Sequence, residues 1–196
     1  MKRVLDILLS LLGIVFLLPL MLLIMLIIKL TSAGPLLYRQ QRVGLNNKDF
    51  KILKFRTMYI GSDKKGLLTV GDRDPRVTRI GYVLRKSKLD ELPQLFNVFF
   101  GEMSLVGPRP EVRKYVDFYT KDDLMVLEVK PGITDYASIH FRNENELLKD
   151  SENPDTKYIK EILPIKLKLN KEYIKRKSVF EDFKIIFKTF SSILNK

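Results

Sequence analysis

The chain contains no cysteine, which excludes disulfide bonds and thiolate metal sites and suits a reducing compartment such as the cytosol. Its single histidine, His140, argues against a histidine-based zinc centre. Acidic residues are in short supply: 23 Asp and Glu stand against 35 Lys and Arg, a formal net charge of +12. That imbalance predicts an anionic partner, whether nucleic acid, a phospholipid surface or a phosphorylated substrate. No helix-turn-helix pattern, RNP-like aromatic motif or zinc spacing accompanies the basic residues, so no nucleic-acid partner is expected. Internal repeats, low-complexity tracts and linkers are also missing, and 196 residues suffice for one domain with a real core but not comfortably for two.

Charge is absent altogether from Ile7 to Ile28, ILLSLLGIVFLLPLMLLIMLII. As an ideal helix this run measures about 33 Å, enough to cross a bilayer. A cleaved signal peptide fits poorly, because the run is long and the following KLTSAGPLLYRQ lacks an A-x-A site, so the segment is expected to stay attached. Lys2 and Arg3 precede it, and Lys29, Arg39, Arg42, Lys48 and further basic residues follow. Positive flanks tend to remain cytoplasmic, and a segment that enters and returns to one face satisfies both. Pro19 supplies the bend by removing a backbone donor. A kinked spanning anchor is the alternative.

Near the other end, SVFEDFKIIFKTFSSIL places Phe180, Phe183, Ile186, Phe187, Phe190, Ile193 and Leu194 at helical spacing, with Ser178 and Glu181 in a capping-box pattern. Lys171, Lys175, Arg176 and Lys177 lie just upstream. Two readings stand side by side: a helix lying on anionic lipid, or a helix facing the core. Between the ends, LLYRQQRVGLNNKDFKILKFRTM reads as a β-hairpin about Gly-Leu-Asn-Asn. Residues 69–81 read as a surface loop, and a helix is expected from Asp90 or Glu91 to Phe100 with Pro93 in its first turn. Gly101 should turn the chain, the prolines of GPRP should hold Arg109 extended, and helix is expected over 111–129 and again from about Pro164.

Chemistry concentrates in KSKLDELPQ. Adjacent residues on a helix point about 100° apart, so Asp90 and Glu91 cannot face each other across a substrate. Different duties suit them better: one carboxylate as nucleophile, its neighbour holding a hard cation such as magnesium. The plainer reading is that both merely complement the positive end of a helix dipole. Lys54 and Arg56 of KFRTM, Arg85, and Arg109 of GPRP supply cations suited to phosphate oxygens, and cations around a carboxylate keep it ionised. Together these groups suggest phosphoryl transfer at a membrane surface.

The blocks KRVLDILLSLLGI, GPLLYRQQRVGLNNKDFKILKFRTM, LRKSKLDELPQLFNVFFGEMSLVGPRPE and KPGIT resemble the small bacterial monotopic phosphoglycosyl transferases over nearly the whole chain. The resemblance implies a helix-dominated α/β (α+β) fold, with a re-entrant membrane helix at residues 1–33 and a cytoplasmic catalytic domain at 34–196 that includes an amphipathic helix at 178–194. It implies that Asp90 attacks the β-phosphate of a UDP-sugar, releases UMP and carries the phosphosugar until polyprenol phosphate (undecaprenyl phosphate) displaces it. Glu91 would be the Mg2+ ligand, and Arg85, Arg109 and Arg142 fall at positions that handle phosphate or hold the active site together, while Lys54 and Arg56 stand in an intact motif. Such a protein sits on the cytoplasmic face of the bacterial inner membrane and hands its product to downstream glycosyltransferases of glycan assembly. Two departures stand out: Leu18, not serine, precedes the bend residue Pro19, and PGITDYASIHFR carries Asp135, Ser138 and Phe141 where Gly, Gln and Gly are usual. The competing class is a membrane-anchored basic module that binds anionic lipid or nucleic acid without catalysis.

Overall fold

The uncharged amino-terminal run forms the core of one helix, α1 (Lys2–Thr31), which continues through Pro19. The computed structural model describes residues 1–62, 68, 74–149 and 151–194. At about 1.5 Å per residue α1 is roughly 45 Å long, and with an 18-residue window of mean hydropathy 3.2 it is long and apolar enough to cross a membrane.

What fixes α1 is polar at its ends and apolar in between. Lys2 donates to the Val106 carbonyl (3.0 Å) and pairs with Asp182. Arg3 donates to the carbonyls of Val98 (2.6 Å) and Phe99 (2.8 Å), in the last turn of another helix. The buried Asp6 carboxylate accepts from Ser104 Oγ and the Leu105 N–H, each at 3.0 Å. Met21, Ile24 and Ile28 then pack into one apolar cluster with Phe55 and Leu84. Just past the helix, Arg56 Nη2 donates to Ser32 O (2.7 Å) and Oγ (2.8 Å). Both ends of α1 are therefore tied to the same body. Its opposite face exposes Leu8, Leu12, Val15, Phe16, Leu23 and Leu30.

The expected hairpin forms from β1 (Leu37–Val43) and β2 (Asp49–Phe55), antiparallel in the register Leu37↔Phe55 to Val43↔Asp49. Asn46 and Asn47 close it in the left-handed region (φ 56° and 59°), which asparagine tolerates. α2 spans Arg79–Lys86, so the loop read over 69–81 ends earlier than expected, and residues 69–73 lie outside the described residues. The helix expected from Asp90 to Phe100 is divided. Leu89–Glu91 is a 3₁₀ turn, and α3 (Gln94–Phe100) starts only after Pro93. Proline offers no N–H for an i→i−4 bond, and Leu95 and Phe96 bond i→i−3 instead, to Leu92 (3.1 Å) and Pro93 (3.1 Å). Gly101 turns the chain at φ 92°, as its position predicts.

A second sheet was not anticipated: β3 (Ser104–Val106) pairs in parallel with β4 (Gly132–Thr134). Gly107 and Gly132 make the junction possible, since a β-carbon on Gly132 would stand 2.1 Å from the Gly107 nitrogen. The helix expected over 111–129 is not continuous: α4 (Arg113–Val116) stops, and a 3₁₀ stretch covers Asp123–Glu128. Thr120 donates its N–H (3.0 Å) and hydroxyl (2.6 Å) to Asp123 Oδ2, a local bond that competes with helix. Beyond it lie α5 (Tyr136–His140), α6 (Glu144–Lys149) and α7 (Pro154–Lys157), so helix resumes before Pro164; a π turn at Tyr158–Ile162 leads into α8 (Leu163–Arg176). Phe141, Leu148, Tyr158, Ile162 and Leu167 form the core there.

The last helix, α9 (Val179–Leu194), starts where Ser178 Oγ accepts the Glu181 N–H (3.1 Å). Only half the capping box forms, because the Glu181 carboxylate accepts from the Tyr136 hydroxyl. Asp182 and Ile185 face inward; Phe180, Phe183, Phe187 and Phe190 are exposed. The phenylalanine stripe is thus not the core-facing side, while the side chains of Ile193 and Leu194 lie outside the description. The whole is helix-dominated α+β, with two two-stranded sheets among the described residues.

Replacing Asp6 by alanine strands the Leu105 N–H, and it should destabilise the fold by about 1–3 kcal/mol. Thermal unfolding of detergent-solubilised protein measures this; an unchanged midpoint would count against Asp6 as the pin between α1 and β3.

Candidate active site

Lys54, Arg56, Arg85, Asp90, Glu91, Arg109 and Arg142 all line a single cavity of about 1000 Å³. The sequence thus brings these seven residues to one place, although they come from five different segments. Lys54 is the penultimate residue of β2, Arg85 lies in the last turn of α2, and the acidic pair rides the 3₁₀ turn. Lys88, in the left-handed region at φ 59°, sets the entry to that turn and also lines the cavity.

Glu91 is locked by two cations. Arg109 grips it with both terminal nitrogens, Nη1 to Oε2 at 3.0 Å and Nη2 to Oε1, and Lys54 Nζ donates to Oε1 at 2.9 Å. Burial alone would raise the Glu91 carboxyl, but Arg109 and Lys54 together outweigh it and hold it well below the ordinary range. Asp90 differs. It is 6% exposed, and among the described residues no protein group hydrogen-bonds to its carboxylate. The cations were expected to hold it ionised, yet burial first, and the charge of Glu91 second, raise its pKa against the opposing pull of Lys54, Arg85 and Lys88. Neighbouring acids are thereby driven apart: Glu91 is fixed as an anion, and Asp90 remains without a committed partner.

The lock depends on a second tier that the motifs did not identify. Asp135, wholly buried, accepts the Arg109 N–H through Oδ2 (3.0 Å) and the Ser138 N–H through Oδ1 (2.6 Å). A residue read from sequence only as a departure therefore positions the arginine and caps α5. The sole advance signal was its place after KPGIT, an aspartate two residues ahead of Ala137-Ser138. Glu111, directly after GPRP, accepts from the Tyr158 hydroxyl and lies 3.7 Å from Lys166 and 3.8 Å from Arg42, whose Nη1 also donates to Pro110 O (3.0 Å). This network braces the Arg109 loop, and Tyr158 and Lys166 lie too far along the chain for local spacing to have linked them.

Two nominated cations do other things as well. Arg56 is buried and spends Nη2 on Ser32, tethering the end of α1, while its Nη1 has no hydrogen-bond partner among the described residues. Arg142 faces the cavity from the segment after α5 and bonds to none of the other nominated residues. As for a metal, no group of three or more His, Cys, Asp or Glu residues converges among the described residues, so no closed cage exists. Asp90 and Glu91 are adjacent carboxylates on the cavity wall, the Glu91 oxygens already held by Arg109 and Lys54, and these are the residues that would hold magnesium of the open kind, which takes one or two carboxylates and completes its shell with water and substrate phosphate.

Comparison with known proteins follows the same lines. The family model described as bacterial sugar transferase matches residues 1–196. A UDP-N-acetylgalactosamine-undecaprenyl-phosphate N-acetylgalactosaminephosphotransferase of Aeromonas hydrophila is 41% identical over 98% of this chain and 43% of its own length. A UDP-glucose:undecaprenyl-phosphate glucose-1-phosphate transferase of Escherichia coli (strain K12) is 37% identical over 100% of this chain and 41% of its own. A protein of the same description from Caulobacter vibrioides is 38% identical over 98% of this chain and 69% of its own. The chain thus spans less than half the length of the first two relatives.

Proposed function

Since the chain belongs to the bacterial sugar transferase family, we propose that it moves a sugar 1-phosphate from a UDP-sugar to undecaprenyl phosphate at the cytoplasmic face of the bacterial inner membrane. The observation that carries this reading is the pairing of a buried carboxylate, Asp90, that no described residue hydrogen-bonds, with a neighbour, Glu91, that two cations hold still. In the first displacement an Asp90 oxygen attacks the β-phosphorus, the bond to the UMP oxygen breaks, and UMP departs with the electron pair. In the second, a phosphate oxygen of the lipid attacks the same phosphorus and the carboxylate leaves as it came. One nucleophile thereby serves a soluble donor and a lipid acceptor in turn.

Arg85, Arg109 and Arg142 line the space where the diphosphate must lie and offer it planar, permanently charged donors. Lys54 and Arg109 keep Glu91 ionised and oriented. Bound by Glu91 and the donor's own oxygens, magnesium would offset the diphosphate charge and ease UMP departure. The α1 helix is read as re-entrant, bent near Leu18 and Pro19. Support comes from its two ends: both are tied to one catalytic body, an arrangement at odds with placing them on opposite sides of a bilayer. The exposed apolar faces of α1 and α9 suit the same interface. The product would pass to glycosyltransferases that extend a lipid-linked glycan.

Three outcomes are expected. Asp90→Asn, nearly isosteric, should reduce UMP release from a panel of UDP-sugars by at least about a thousandfold; a purified variant that releases UMP at the parental rate would leave a non-catalytic basic module as the better account. Excess chelator should stop UMP release, and restoring Mg2+ should recover it; turnover indifferent to both excludes the metal. The native chain has no cysteine, so a cysteine inserted after Met1 and one at the exposed Lys86 report topology cleanly. Both should react with an impermeant maleimide from the cytoplasmic side, and labelling from opposite sides would rule out re-entry.

A further inference from the structure

The cavity has a second polar wall, built where α5 packs against α8, that the chemistry at Asp90 leaves unused. Ser138 comes to it from α5, and Lys166 and Asn170, four residues apart and so on one face, come from α8. Ser138 Oγ and Asn170 Oδ1 are enclosed and have no hydrogen-bond partner among the described residues, and Asn170 as a whole is only 5% exposed. Folded proteins rarely leave such atoms unmatched, because an enclosed polar group without a partner has lost its water for nothing. Lys166 cannot serve them: its ammonium is already shared by Glu144 (2.5 Å), the Tyr158 hydroxyl (3.1 Å) and Glu111 (3.7 Å). What stays open on this wall is therefore neutral, a carboxamide and a hydroxyl. Asp135 couples the wall to the acidic pair, since one of its oxygens takes the Ser138 N–H and the other takes the N–H of Arg109, which grips Glu91.

We infer that the α5–α8 wall selects the donor by its sugar, with the Asn170 carboxamide and the Ser138 hydroxyl hydrogen-bonded to substituents of an uncharged hexose ring. The chemistry of the wall sets the ligand class. An anionic group gains little there, because the carboxylates of Glu111 and Glu144 also line the cavity and the nearby ammonium is spent on them. Uracil brings a single N–H donor, whereas a hexose brings several hydroxyls, and acceptors such as Asn170 Oδ1 and the Glu144 carboxylate call for donors. Both open groups stand on helices and are enclosed, so a ring that lacks the matching substituent leaves a buried polar atom unpaired. That penalty is how a hydrogen-bonding site rejects near neighbours of its substrate. Asn170 and Ser138 are accordingly specificity residues, apart from the groups that carry out the transfer.

The inference rests on the transferase reading, and the test separates the two. With the full chain in lipid nanodiscs, kcat/KM for UMP release is measured for UDP-glucose, UDP-galactose, their 2-acetamido counterparts and UDP-glucuronic acid, together with inhibition by UMP. Wild type should favour one of the neutral donors. Asn170→Leu, close to isosteric, should lower kcat/KM for that donor at least about tenfold and shrink its lead over the next donor by a similar factor, while inhibition by UMP stays within about twofold. Ser138→Ala should act in the same direction by at least about threefold. A merely structural role would move every donor alike, so equal loss with all donors overturns the assignment, and weakened UMP inhibition alongside it would give the wall to the nucleoside. An unchanged lead in a folded variant, or a wild type that favours the glucuronate donor, overturns it too. If Asn170→Leu does not fold, Ser138→Ala, which removes one oxygen, decides by the same readouts. Wild type that releases UMP from no donor fails the transferase reading itself, and the inference falls with it.

Discussion

The ion pairs on Glu91 are the constraint around which the rest is arranged. A buried carboxylate without cations would take up a proton or destabilise the fold, and removing one partner from such a cluster typically costs about 3–5 kcal/mol. Lys54 and Arg109 must therefore arrive together, from opposite directions. The hairpin delivers Lys54 at the end of β2. The parallel pair β3 and β4 delivers Arg109, because Gly107 and Gly132 let two backbones approach more closely than any side chain would permit, and Asp135 then fixes the Arg109 backbone. Three motifs that look independent in sequence, KFRTM, GPRP and KPGIT, are thus one device for holding a carboxylate still.

That device has a consequence for its neighbour. With its charge pinned beside Asp90, Glu91 adds to the effect of burial and raises the Asp90 carboxyl, while Arg85 and Lys88 pull the other way. Two adjacent acids of nearly equal intrinsic strength acquire opposite electrostatic characters from their partners alone. The 3₁₀ turn makes this possible, since at about three residues per turn consecutive side chains diverge and one can be gripped while the other stays open to the cavity. Proline at 93 enforces the turn by denying the helix its next backbone donor.

How much of this was legible depended on the range of the interaction. Local signals were read correctly: the hairpin about Asn46 and Asn47, the turn at Gly101, the cap at Ser178. The seven nominated side chains do line one cavity, because clustered cations beside an acidic pair have a chemical use that spacing alone can flag. Pairings between distant segments escaped. Nothing local announces that Ser104 will lie beside Gly132, or that Glu111 will meet Tyr158 and Lys166. The long helix drawn over 111–129 failed because the Thr120–Asp123 bond outcompetes helical pairing at one turn, an effect that apolar periodicity does not register.

Attachment of α1 links the site to the exposed apolar face of that helix. Ordinary anchors connect to their domain at one end, so the depth of the active site is free to vary with the linker. Here Lys2, Arg3 and Asp6 fasten the beginning, Met21 to Ile28 pack in the cluster with Phe55, and Arg56 holds Ser32 at the end. The helix cannot rise or sink without carrying the acidic pair with it. Under the proposed membrane placement of α1, depth becomes a property of the fold: how far the bare face of Phe16 and Leu23 enters lipid would set where Asp90 stands relative to the headgroups. The proposed transfer between a water-soluble diphosphate and a lipid phosphate needs its nucleophile at one fixed level, and a helix fastened along its length to the rest of the fold would supply that level without a separate positioning element.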